Sequence, residues 1–128
     1  RAYLFRVKNM GMHRRLCNLM SSEKILKVGA AIHDDIRGLQ RLRHFQPDGF
    51  LDLQKIVSEW GIRDKSVKKM AAIIMGFRIS KTQQLSNWEA ETLSEQQCKY
   101  AATDAWVCRE MYLKLMKSDK HPLELEEK

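Results

Sequence analysis

The chain has 128 residues, 44% hydrophobic and 30% charged, with 23 Lys and Arg against 16 Asp and Glu, a formal net charge of +7 and a sequence pI of about 9.5. This fits one folded α/β or helical domain and excludes an acidic disordered chain. The longest unbroken apolar run, residues 70–75, is far below the roughly 20 residues of a spanning helix, and no signal segment opens the chain. The expectation is a soluble intracellular protein with no membrane partner, cytoplasmic or, in a eukaryote, nuclear.

Residues 2–7 (AYLFRV) are aromatic and β-branched with rough alternation, which predicts a strand. Residues 12–20 carry Leu16, Leu19 and Met20 at helical spacing, and 25–29 (ILKVG) read as a short buried strand stopped by Gly29. A helix follows from near Asp34, with Ile32, Ile36, Leu39 and Leu42 at three- and four-residue steps, and it ends before Pro47 and Gly49. Residues 50–53 suggest a third strand, and 52–60 a helix closed by Gly61. Ser66 caps another helix that carries Val67, Met70, Ile73 and Ile74 to Gly76.

Residues 77–91 read as irregular, and Ser94 then opens the longest helix, with Gln97 completing a capping box, to about Met116. Met70, Met75, Met111 and Met116 are most simply core. From residue 117 no apolar periodicity remains, so the expected organisation is a domain over 1–117 and a mobile polar tail over 118–128. Cys17, Cys98 and Cys108 form no C-x-x-C pair, and His13, His33, His44 and His121 have no zinc spacing, so reduced thiols are expected and any metal would sit on carboxylates. The basic excess favours a polyanionic partner.

Two acids stand in unexpected places. On the last helix, Gln97, Tyr100, Ala101, Asp104, Ala105, Cys108, Met111 and Tyr112 share one face that is otherwise apolar, so the Asp104 carboxylate needs a partner. Asp35, three after Ile32 and four before Leu39, lies on the apolar flank of its helix, whereas Asp34 is the better candidate for an N-terminal cap. Spacing alone leaves a structural pairing with basic residues as open as a functional site.

The segment ILKVGAAIHDDIRGLQRL resembles the second motif, and LSNWEAETLSEQQCKYAATDAW the third, of the DEDD superfamily of 3′-to-5′ exonucleases. The second match takes in SNW at 86–88, Leu93, Gln97 and the Y-x-x-x-D of Tyr100 and Asp104. The branch resembled is the tyrosine-using, Werner-syndrome-type and ribonuclease D-like one, over residues 2 to about 115. It implies a ribonuclease H-like α/β fold, a mixed sheet flanked by helices in the order 3-2-1-4-5, with 2–7 as the third strand and 25–29 as the fourth.

The implied activity is phosphodiester hydrolysis at the 3′ end of DNA or RNA with two Mg²⁺ or Mn²⁺ ions on carboxylates, ions that prefer oxygen ligands. In that scheme Asp104 binds the ion that activates water, Tyr100 orients the water, and Asp35, six after Gly29, holds the second ion through water. Lys81, placed before SNW as in the family, together with Arg78, Arg37 and Arg41, would line the strand-binding groove. A solvated basic surface is the alternative for Arg37 and Arg41 and for Lys65, Lys68 and Lys69. Trp88 is read equally as a support for the site helix or as core.

The family's first motif, Asp-x-Glu on the first strand, has no counterpart in this sequence. Two carboxylates offer a charge of −2 to a metal pair of +4, so the chain alone is expected to be inactive or very nearly so. The missing strands are expected from an upstream segment or another chain. The rivals are a non-catalytic nucleic-acid-binding module of the same fold and a helical interaction domain whose two acids are structural.

Overall fold

A computed structural model describes residues 1–80 and 82–122. Two short strands, β1 (Lys27–Gly29) and β2 (Phe50–Asp52), pair in parallel, with Lys27 opposite Phe50, Val28 opposite Leu51 and Gly29 opposite Asp52. Parallel neighbours need a crossover, and the helix after β1 supplies it. In chain order the helices are α1 (Val7–Met10), α2 (Arg14–Ser21), α3 (His33–Leu42), α4 (Leu53–Ile56) with a 3₁₀ turn at Val57–Trp60, α5 (Val67–Met75) and α6 (Glu95–Met116).

The helix boundaries follow local chemistry. The Ser66 hydroxyl accepts the Lys69 N–H to start α5, Asp52 accepts the Gln54 N–H to start α4, and left-handed Gly61 and Gly76 end the 3₁₀ turn and α5. At α6 the capping box is complete: Ser94 Oγ accepts the Gln97 N–H at 3.1 Å and Gln97 Oε1 accepts the Ser94 N–H at 2.8 Å.

The main core lies where α4 and α5 meet α6. Leu53, Val57, Met70, Val107 and Met111 are wholly buried there, ringed by Trp60, Ile62, Ala71, Ile74, Cys108 and Leu115, and Val28 and Leu51 of the sheet pack against them. α6 therefore crosses β1. A smaller cluster of Met12, Cys17 and Phe45, with Leu16, Met20, Ile36 and Leu39 against it, joins α2 to α3. Met116 corrects the sequence reading: the buried stripe of α6 runs through Val107, Cys108, Met111 and Leu115, and Met116, one residue further, turns away from it and is exposed. No helix among the described residues is long and apolar enough to cross a membrane.

Two further expectations are corrected. Residues 2–6 form no strand, and only a helical turn follows at Val7–Met10. A strand is completed by a neighbour's N–H and C=O groups, and no neighbour meets this segment among the described residues, so Tyr3, Leu4 and Phe5 stand exposed. They form one wall of a cleft of about 1140 Å³ whose other wall is the Ala101, Ala105 and Trp106 side of α6. At the other end, residues 118–120 are docked rather than free. The Trp60 indole donates to the Ser118 carbonyl at 3.3 Å, and Lys120 Nζ sits 5.1 Å from the Trp60 ring centroid and 3.0 Å from Glu59 Oε1. Residues 123–128 lie outside the described residues.

Candidate active site

The loop from β1 into α3 carries the first acid. Its backbone is held by Asp52 at the end of β2, whose two carboxylate oxygens accept the N–H groups of Ala31 (3.0 Å) and Ile32 (3.3 Å) as well as that of Gln54 (3.0 Å). Ala31 has φ of 55°, a left-handed conformation that costs a non-glycine residue energy and needs such fixing. Because Asp52 reaches in from the neighbouring strand, Asp34 does not cap the helix as expected. The N-cap is Ile32, with no side-chain hydrogen bond, and Asp34 and Asp35 both lie in the first turn of α3.

Asp35 is close enough to α6 for its charge to act on Asp104. Burial and then the charge of Asp34 hold its carboxyl above the usual aspartate range. Asp104, on the α6 stripe that also carries Val107, Cys108 and Met111, is raised by burial and then by the charge of Asp35. The two acids, 69 positions apart, thus come within electrostatic reach of each other. Asp104 itself remains open to solvent, but its carboxyl lies one turn from buried Cys108, where hydration is incomplete. Among the described residues neither acid has an ion-pair partner, and no cluster of three His, Cys, Asp or Glu side chains could hold a metal.

Tyr100 lies one turn before Asp104. Burial and then the Asp104 charge push its phenol pKa up, so at neutral pH it is an O–H group and not a phenolate. Cys108 is pushed up to about 12 by burial and then by Asp104 and Asp52, which makes it a protonated packing group and not a thiolate ligand.

The segment before α6 is built around Gln97, the one buried polar side chain among the described residues. Its amide N–H₂ donates to Ser86 Oγ at 2.9 Å and to the Asn87 carbonyl at 3.0 Å, while the Trp88 indole N–H is shared between the Gln83 and Gln84 carbonyls, both at 3.1 Å. The SNW residues are thereby folded back onto the helix they precede, and the Trp88 ring lies 6.0 Å from that of Tyr100 at 44°. Gln97 is both cap and tether, and Trp88 packs beside Tyr100 on α6.

Arg37 and Arg41 are exposed on α3 and Arg78 is exposed after α5, while Lys81 lies outside the described residues. Sequence reasoning missed two residues. Asp52 ends a strand and caps the next helix, a local signal that was readable, but its reach 20 and 21 positions back was not. Arg6 donates to the carbonyls of Trp88, Ala90 and Glu91, which no local pattern announces.

Comparison with known proteins agrees with this geometry. Residues 2–118 match the family model described as a 3′-5′ exonuclease. The chain is 33% identical over 109 residues to the mouse exonuclease 3′-5′ domain-containing protein 2, covering 80% of this chain and 17% of that protein. It is 32% identical over 101 residues to ribonuclease D of Bartonella henselae, covering 78% and 25%. The solved Escherichia coli RNase D, an exoribonuclease involved in structured RNA processing, superimposes with a TM-score of 0.70 at 25% identity over 80% of this chain and 28% of that one. The chain thus spans about a fifth of the length of the curated relatives it matches, and its α/β architecture is that of ribonuclease H-like exonuclease domains. With both motifs on elements that meet, and the family match running through nearly all of its length, this chain belongs to the 3′-5′ exonuclease domain family.

Proposed function

We propose that this domain contributes to hydrolysis of phosphodiester bonds at the 3′ ends of DNA or RNA, with Asp35 and Asp104 as carboxylate ligands for Mg²⁺ or Mn²⁺ and Tyr100 as the group that orients water. The observation that carries the reading is the pair of carboxylates themselves, set against each other on α3 and α6 with no cation beside them among the described residues. Asp104, raised by burial and by the Asp35 charge, and Asp35, raised by burial and by the Asp34 charge, form a site that added positive charge would relieve. The donors are oxygens and the neighbouring thiol is protonated, which suits hard divalent ions. Such ions, when bound, would supply charge stabilisation to the attacking and leaving oxygens.

The chain's own groups define the rest. Tyr100, kept as a phenol, can donate or accept a hydrogen bond to fix a water's direction but is a poor base at neutral pH. Trp88 limits where the Tyr100 ring can lean. Asp52 fixes the loop that aims Asp35. Arg37, Arg41, Arg78 and Lys81 are the proposed phosphate contacts, which give affinity without sequence preference. Two carboxylates fall short of what a metal pair needs, so the chain alone is proposed to be inactive, with further acids arriving on strands from an upstream segment or another chain. The uncovered edge of β1 and the apolar cleft beside α6 support that arrangement.

A non-catalytic nucleic-acid-binding module remains the second reading, favoured by the lack of a third ligand among the described residues. Thermal melting of the gene's full translation product with added Mn²⁺ separates the two. Mn²⁺ should raise the Tm, and Asp104→Asn should remove that shift while oligonucleotide binding is retained. No Mn²⁺ response in the parent protein would favour the non-catalytic module.

A further inference from the structure

The irregular segment 86–91 is short of backbone partners, since it belongs to no helix or strand. Three of its carbonyls nevertheless converge on one cation: Arg6 Nη1 donates to Glu91 O at 2.9 Å, and Nη2 donates to Trp88 O at 3.0 Å and Ala90 O at 2.7 Å. The contact spans 82 to 85 positions of sequence, and a second bond reinforces it, with Lys8 Nζ 2.6 Å from Glu89 Oε1. The planar guanidinium suits this task because its donors leave in fixed directions from one rigid fork, whereas an ammonium is a point charge on a flexible stem. Arg6 is half-buried, and three of its five guanidinium N–H groups are taken up by these backbone carbonyls.

The segment is gripped from two sides. Gln97 holds Ser86 and Asn87 from α6, Arg6 holds residues 88, 90 and 91 from the N-terminal segment, and the two grips meet at Trp88. The indole of Trp88 leans on Tyr100. We propose that Arg6 is a positioning residue of the active site: by clamping the carbonyls of Trp88, Ala90 and Glu91 it sets the Trp88 ring, and through it the direction of the Tyr100 hydroxyl. The inference rests on the reading of Tyr100 as the group that orients water.

Arg6→Gln and Arg6→Lys in the gene's full translation product test it by two independent readouts. The first is hydrogen exchange of the Trp88 indole N–H, whose amide-region signal is assigned by its loss in Trp88→Phe. Arg6→Gln should speed that exchange about tenfold or more as the segment opens locally, and Arg6→Lys should recover part of the protection. The second is 3′-end hydrolysis of a single-stranded oligonucleotide, where Arg6→Gln should lower kcat about tenfold with KM within about twofold, and Arg6→Lys should restore part of kcat. Unchanged exchange together with a raised KM would overturn the proposal and make Arg6 a strand contact; unchanged exchange with unchanged kinetics would overturn it as well. If the parent protein hydrolyses no 3′ ends, the exonuclease reading fails on that result, while the exchange measurement still decides whether Arg6 holds Trp88.

Discussion

Replacing Gln97 by Ala removes three hydrogen bonds at once: Oε1 with the Ser94 N–H, and the amide with Ser86 Oγ and the Asn87 carbonyl. The Ser94 hydroxyl bond to the backbone of position 97 survives. Each lost bond is worth about 0.5–1.5 kcal/mol net, and alanine returns a few tenths through its better helix propensity, so the expected cost is about 1–4 kcal/mol. For a domain of 150–250 residues, where 1 kcal/mol moves Tm by roughly 2–4 °C, the transition of this domain within the full translation product should fall by roughly 2–15 °C, followed by circular dichroism at 222 nm. Gln97→Glu sharpens the test. The introduced carboxylate can still accept from Ser94 but cannot donate to the Asn87 carbonyl, so this variant should be worse at neutral pH and recover part of its stability on acidification, when the acid regains a proton to donate. A Tm drop under about 2 °C for Gln97→Ala, or a pH-independent Gln97→Glu, would show that the segment before α6 is not held by this side chain.

The acids of the site should destabilise the metal-free protein: both folded pKa values lie above the unfolded one, so stability is full below about pH 3.8 and is lost as pH rises through the raised values. In EDTA at pH 7, Asp104→Asn should therefore raise stability by up to ~1 kcal/mol, a gain that vanishes near pH 3 and that chemical denaturation at the two pH values would read. Native Cys108, 3% exposed with its pKa pushed up to about 12, should react with iodoacetamide at pH 8 at least ~1000-fold more slowly than free cysteine, measured by mass spectrometry. Gly49→Ala should cost at least ~2 kcal/mol in urea unfolding, since φ is +69° there and the new Cβ would meet the backbone carbonyls of Ser22 at 2.5 Å and Ile25 at 2.7 Å.

What was legible in the sequence was what neighbours in the chain decide. The Ser94–Gln97 box, the Ser66 cap and the glycine stops of the 3₁₀ turn and α5 each depend on residues within one or two turns, and each lies where its pattern places it. Asp35 and Asp104 each stood out because an acid on an apolar stripe is costly, but that the charge of one reaches the other came from the family resemblance and not from spacing. Residues 2–7 misled because β-pairing needs a second segment, and none pairs with them among the described residues. The docking of residues 118–120 on Trp60 spans about 60 positions, and the Arg6 clamp more than 80, so neither leaves a periodic trace. Met116 misled because residue type was read without its face: Leu115 beside it closes the buried stripe, and Met116 points away from it.

The central claim is that Asp35 and Asp104 belong to a metal-dependent site acting at 3′ ends. The most direct measurement incubates the gene's full translation product with a 5′-labelled single-stranded oligonucleotide and Mg²⁺ or Mn²⁺, alongside Asp35→Ala, Asp104→Ala and a substrate blocked by a 3′-phosphate. The account predicts a metal-dependent ladder shortening one nucleotide at a time from the unblocked 3′ end, lost in both variants while their binding of the strand persists. Equal shortening by the parent protein and Asp104→Ala would contradict it.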